Sequence, residues 1–382
     1  MVLAPRFLLS SVSVVLGLVG CGGAQEAPAP PDFSVPACQA PVALVAPDIT
    51  CPERNCGENS PIVNGFPING LSNHGRGTCN RSGVQLLPRS LQGGGCGSGA
   101  DLALDPTEGV LIGERGGKVV CTGERLTGAT FTVRSHARAT LTFAITNVRR
   151  IQVAGGGTPG YREGYRIESG GASACEPGVA ANVRSRLGLR AKPDPQGEEP
   201  PTADGYSFGP DDDLVVAMDG PLYDVRDALI TNPHGEWFNL ACAGDALAKQ
   251  VLFGLYFPGD ERMNETTLRM ITANYCGKAY TLRGIQFGWA AMLLAQSVEA
   301  GWAGGKAVCI DKPRLMVASG IPPEKLPASL QPTGCDKTPC NKEDWIKALR
   351  TECKLGPCKD ATKFDFMSFL GEPGIQLGRK KD

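Results

Sequence analysis

The chain is poor in the residues that most chemistry is built from. Only 6% of its 382 residues are aromatic and three are histidine. His74, His136 and His234 lie far apart, in no metal-ligand spacing. No strand–Ser–helix elbow pattern is present, and the glycine tracts Gly93-Gly94-Gly95 and Gly155-Gly156-Gly157 follow no phosphate-cradling spacing, so they read as turns. The formal net charge is −1, which removes the basic face that nucleic acid requires. Beyond the N-terminus no apolar run reaches membrane-spanning length. Residues 286–304 come nearest, but Glu299 and several glycines interrupt them. No internal repeat is found. These absences argue against a nucleic-acid partner, a cofactor and a bound metal, and they lean away from an enzyme.

What is present is cysteine, glycine and proline: 15, 50 and 30 residues. Glycine and proline at this level suit turn-rich β structure with long connections. Fifteen cysteines read as disulfides in an exported chain. The export signal is at the start. Arg6 precedes the apolar run Phe7–Val19, too short to span a bilayer comfortably, and Leu18-Val19-Gly20-Cys21 has the form of a bacterial lipobox. Residues 1–20 are thus expected to be removed, leaving Cys21 as the lipidated N-terminus. Two or three acyl chains give stable anchoring where one binds reversibly. Lipidation of Cys21 accounts for the odd cysteine, and the remaining fourteen allow up to seven bridges. Residues 21–37 form a Pro-rich tether. Gly22 in place of aspartate favours the outer over the inner membrane.

The body divides by composition. Residues 38–109 are Gly-, Pro- and Cys-rich, with little periodicity, and are expected to be loops and short strands pinned by disulfides. Residues 110–320 are expected to form one domain and 321–382 a Cys-rich tail. Thr130–Arg134 and Thr140–Val148 alternate as half-buried strands do, and Tyr161–Glu168 reads as another. Residues 190–205 form a polar, Pro-rich linker. Leu240–Leu255 reads as a helix. Asn264 is expected to cap a second, in which Leu268, Ile271 and Tyr275 share a face, with Gly277 at its end. A third helix is expected over Asp344–Glu352 after Asn341. The fold class is α+β: a β-rich antiparallel sheet or sandwich with a helical hairpin, stapled by disulfides.

Several clusters carry competing readings. Cys335, Cys340, Cys353 and Cys358 flank the third helix in two pairs. Disulfides, such as Cys340–Cys353 with Cys335–Cys358, are favoured over zinc, and spacing does not fix the connectivity. Asp211-Asp212-Asp213 reads as a solvated turn rather than a calcium loop. Trp237, Tyr256, Phe257, Tyr275, Phe287 and Trp302 read as core more readily than as a ligand platform.

Ala273-Asn274-Tyr275-Cys276 resembles the Ala-Asp-Tyr-Cys motif of the ADYC domain, found largely in lipoproteins of myxobacteria and related lineages. The likeness extends upstream through Phe238–Lys249 and Arg269-Met270, and downstream through Tyr280–Gln286, Glu299-Ala300-Gly301-Trp302 and Ala307-Val308-Cys309. It implies an exported lipoprotein and supplies no activity. Asn274 replaces the motif aspartate, which weakens a catalytic reading because asparagine is no general acid or base. Gln250 and Thr267 stand where the family carries cysteines, as if one disulfide had been lost as a unit. On this resemblance Cys242 and Cys276 would be partners. The function expected is therefore that of a membrane-anchored envelope lipoprotein that binds an envelope protein or glycan, or serves structurally. An envelope hydrolase acting on polysaccharide or peptide is the alternative.

Overall fold

In the computed structural model of the protein, the described residues are 56–58, 60–68, 70–80, 83–153, 160–189, 213–220, 222–224, 228–230, 236–257, 259–283, 285–290, 298–319, 321–335, 340–358 and 364–369. All belong to the compact unit Ala46–Asp382. The signal segment, Cys21, the tether, the 190–205 linker, Asp211 and Asp212 lie outside the described residues.

The described structure is mostly β. The first half contributes β1 (Cys56–Glu58), β2 (Leu71–Ser72), β3 (Val84–Leu86), β4 (Leu91–Gly93), β5 (Gly97–Asp105), β6 (Val110–Arg115), β7 (Lys118–Thr122), β8 (Ala129–Ser135), β9 (Thr140–Val153), β10 (Gly160–Ser169) and β11 (Ala172–Ser173). After α1 (Pro177–Arg186) come β12 (Val215–Asp219), β13 (Leu222–Asp224), β14 (Ala228–Ile230) and β15 (Trp237–Cys242). Then come α2 (Ala246–Leu252), α3 (Glu261–Ile271), β16 (Gln286–Ala290), β17 (Val298–Ala303), β18 (Lys306–Ile310), α4 (Arg314–Ala318), α5 (Lys342–Cys353) and β19 (Phe366–Phe369).

A large antiparallel sheet runs β2-β15-β12-β10-β9-β8-β4-β5-β6-β7, with β11 against β10 and β3 against β8. A smaller one runs β1-β16-β19-β17-β18. The alternation read in β8 is realised: Ala129, Phe131, Val133 and Ser135 are buried and the residues between them are not. In β12 the run Leu214–Met218 is buried on both faces because this strand is a wall between two cores. Val215 and Ala217 face one core, with Phe131, Phe143, Tyr165 and Leu240. Leu214, Val216 and Met218 face the other, with α2, α3, Tyr275, Trp302 and Trp345.

Strands on either side of positions 110 and 320 share sheets. β5 pairs with β6 across position 110. Residues after 320 are no tail, because β19 inserts between β16 and β17. The helix expected from Leu240 begins only at Ala246. Leu240–Cys242 belong to β15, where register with β12 gives buried backbone its partners at once. Asp260, not Asn264, caps α3, its carboxylate accepting from Met263 N at 2.9 Å. Asn264 is buried inside the helix and clamps Phe257 through its N–H and carbonyl, both at 2.8 Å. Helix α3 ends at Thr272, five residues before Gly277. Asn341 caps α5 as read, accepting from Asp344 N.

Five bridges join described cysteines: Cys96–Cys121, Cys175–Cys242, Cys276–Cys353, Cys309–Cys358 and Cys335–Cys340. They correct the expected pairings. Cys242 and Cys276 are not partners: Cys242 lies on a strand and faces the core opposite to the one that holds Tyr275. Cys340–Cys353 is excluded by length, since α5 has 12 residues and spans about 18 Å, against a bridged Cα separation of roughly 4.4–6.8 Å. Cys335–Cys358 is not formed, because each of these cysteines is bonded elsewhere. The four sulfurs considered for zinc therefore sit in three separate bridges. Cys79 is an exposed thiol. Asp213 does not stand free in a turn: its carboxylate receives Arg166.

Candidate functional site

The Ala273–Cys276 motif is the turn that leaves α3. Thr272 ends the helix with its hydroxyl donating back to Leu268 O at 2.9 Å. Ala273 takes a left-handed φ of 47°, and Asn274 holds the turn beyond it. Its Oδ1 accepts from Gly277 N at 2.6 Å and lies 3.5 Å from Arg269 Nη1. An amide or a carboxylate oxygen serves equally as that acceptor, so the position organises a turn and the aspartate-to-asparagine change leaves the turn intact. Asn274→Ala is expected to lower stability by about 1 kcal/mol and Asn274→Asp to hold it near the parent value, measured by urea denaturation.

Tyr275 points inward and is 2% exposed. Its ring stacks on Trp302 with centroids 5.5 Å apart, and its hydroxyl donates to Glu299. Burial, with the Glu299 charge beside it, holds the phenol well above its ordinary range. Glu299 is gripped in turn by Arg314 through Nε at 2.7 Å and Nη2 at 2.8 Å. Arg314 Nη2 also donates to Met270 O at 2.8 Å, a carbonyl at the C-terminal end of α3, and the guanidinium lies 3.9 Å from the Phe287 ring centroid. Both Glu299 and Arg314 side chains are fully buried. The charge that interrupts the apolar stretch 286–304 is thus half of an interior ion pair that ties the motif to β17 and α4. A second interior pair, Asp245 with Arg283 at 2.8 Å, sits between β15 and α2, and Asp245 also accepts from Gly65 N.

The exposed side of the motif opens onto a groove of about 690 Å³. Glu265 and Arg269 of α3 form one wall, Gly304–Val308 of the β17–β18 hairpin a second, and Cys353–Leu355 at the end of α5 a third. Gly305 needs its positive φ of 81° to turn the hairpin, and a Cβ there would stand 2.8 Å from Glu265 Oε2. Glu265 is engaged by Arg269 at 2.9 Å, while Lys306 and Lys354 are exposed. Cys276, the motif cysteine, is exposed at the groove and bridged to Cys353. Just behind the end of α5, Glu352 accepts from the Tyr280 hydroxyl at 2.6 Å and from Thr333 N at 2.5 Å. Burial alone would raise its carboxyl, but these bonds and Lys278 outweigh it and hold the group below the usual carboxylate range.

Of the residues singled out in the sequence, the structure brings Tyr275, Cys276 and Cys353 together at one groove and sends Cys242, Cys335, Cys340 and Cys358 elsewhere. Tyr275, Phe287 and Trp302 are core. Arg314, Lys306 and Lys354 went unmarked, since single cations on a mixed-charge chain carry no sequence signal. Glu299 alone had one, as an isolated carboxylate in an apolar run.

The architecture defines a disulfide-stapled, antiparallel β protein with a small helical layer over one core. Residues 123–316, just over half of the chain, match the family model described as the ADYC domain. The chain belongs to the ADYC domain family. No curated protein and no solved structure matches it.

Proposed function

We propose that this protein is an exported lipoprotein, anchored to the outer membrane by acyl chains on Cys21, and that its ADYC domain is a binding module for an acidic, extended segment of another envelope protein. Residues 21–37 then act as the spacer between membrane and body. The observation that carries the binding reading is the groove: Lys306 and Lys354 are exposed on it, while its one carboxylate, Glu265, and Arg269 are paired with each other. Two walls of the groove are short runs of consecutive chain, 304–308 and 353–355; β18 is the last strand of its sheet, and Gly356 already pairs with it at Cys309, so the stretch facing the groove is Lys306–Val308. That shape suits an extended polypeptide laid along a strand edge. Tyr275, the one aromatic among the lining residues, is buried, so no ring platform is offered to a sugar. A glycoside hydrolase of the two-carboxylate kind would need a second facing carboxylate there, and the lining supplies none.

Two measurements test this. In a lipoprotein-processing bacterial host the protein is expected in the membrane fraction with an acylated Cys21 terminus, and Cys21→Ser is expected to release it. Binding is read by fluorescence anisotropy with a labelled twelve-residue peptide alternating glutamate and valine. Saturable binding, weakened at least ten-fold by joint Lys306→Glu and Lys354→Glu, supports the reading. Equal binding by the charge-reversed protein, or none by the parent, rejects it.

A further inference from the structure

We propose that the Cys276–Cys353 bridge is a site of thiol–disulfide exchange, open to dithiols while the other four described bridges stay closed. The bridges differ in cover. Cys96–Cys121 and Cys309–Cys358 are buried at both ends, and Cys175–Cys242 and Cys335–Cys340 at one, through Cys242 and Cys335. Cys276–Cys353 has no buried member: Cys276 is exposed and Cys353 half-buried. It also lines a groove large enough to admit a partner chain. Exchange requires a thiolate to reach one sulfur, so cover by protein is the first determinant of rate.

The second determinant is the stability of the thiolate that leaves. Lys306 and Lys354 line the same groove as both sulfurs, where Arg269 is matched by Glu265, and positive neighbours favour thiolate over thiol. One effect opposes this. Cys353 is the last residue of α5, and the carbonyl end of a helix disfavours negative charge, by about five-fold at an exposed end and more where it is partly buried. Access sets the direction of attack: Cys276 is the exposed member of the pair, so the incoming thiolate reaches it.

The reaction balances with a dithiol as co-reactant. The incoming thiolate forms a bond to Cys276 Sγ. The Cys276–Cys353 bond breaks, and its electron pair leaves on Cys353 Sγ, which takes up a proton from water. The second thiol of the partner, deprotonated, then attacks its own sulfur in the mixed disulfide and releases Cys276. The dithiol is oxidised by two electrons and the bridge is reduced to two thiols. The bridge closes a span of 77 residues and ties the motif turn to the end of α5, so exchange unfastens one wall of the groove from another.

The full-length protein, with its free thiols blocked, is exposed to limiting dithiothreitol, quenched with an isotopically distinct alkylating reagent and mapped. Cys276 and Cys353 are expected to take the second label at least ten-fold sooner than the other eight described bridged cysteines. A monothiol probe such as glutathione is expected to be trapped on Cys276. Lys306→Gln with Lys354→Gln is expected to slow opening at least three-fold at an unchanged denaturation midpoint. Earlier opening of another described bridge, or joint opening of all five at the global unfolding rate, overturns the proposal. Trapping on Cys353, or an unaltered rate in the lysine variant, overturns the assigned direction of attack or the role of the cations. None of these outcomes depends on whether the groove binds a peptide.

Discussion

Replacing Arg314 with methionine is expected to lower stability by about 3–5 kcal/mol, enough to keep much of the protein from accumulating folded. The reason is the partner left behind. Glu299 is fully buried and takes two of its hydrogen bonds from Arg314. Without the guanidinium it becomes an uncompensated interior carboxylate, with the Tyr275 hydroxyl as its one remaining side-chain donor among the described residues. Met270 O at the end of α3 also loses its donor. Arg314→Met combined with Glu299→Gln removes the stranded charge and is expected to recover more than half of the loss, because breaking a buried pair costs far more than exchanging it for neutral groups. Urea denaturation of both variants decides this. Equal destabilisation by the single and double changes would show that the pair acts by shape rather than by charge.

The opposite sign is expected between α2 and α3. Gln250 Nε2 donates to Thr267 Oγ1 at 2.6 Å, and both residues are fully buried. These are the two positions where the resemblance implies cysteines, and the structure brings them into contact. The hydrogen bond stands where a bridge would close the helical pair. It is an imperfect substitute, since Gln250 Oε1 has no hydrogen-bond partner and a buried unpaired polar atom costs about 1–3 kcal/mol. Gln250→Cys with Thr267→Cys is therefore expected to oxidise in air and to raise stability by about 3 kcal/mol, the loop-closure value for a separation of 17 residues. Intact mass, lower by two hydrogens, reports closure, and thermal unfolding reports the gain. Persistence of two titratable thiols, or a lowered midpoint, would refute the expectation.

Three helices show what is legible in the sequence. The Asn341 cap of α5 and the buried positions Leu268 and Ile271 of α3 are legible because capping and helix periodicity are local, whereas Tyr275 lies beyond the end of α3. The start of α2 is not legible. Leu240–Cys242 satisfies a helical apolar pattern and a buried strand equally well, and pairing with β12 chose the strand. One disulfide error was avoidable from local geometry, because no helix of twelve residues lets a cysteine before it meet one at its end. The other was not avoidable: that Cys242 faces one core and the motif the opposite one is set only by β12 and β15 lying between two cores.

By itself the sequence determined that the described body is rich in β structure, that most of its cysteines pair, and that Ala273–Cys276 forms the family's motif. These rest on period, composition and residue order, properties that a single segment carries. Only the tertiary structure decided which cysteines meet, that Glu299 and Arg314 lock the motif's tyrosine, and that cations from three separate segments share one groove with Cys276. Each of those depends on residues distant in the chain being placed within a few ångströms, and side-chain chemistry at that range has no trace in local order.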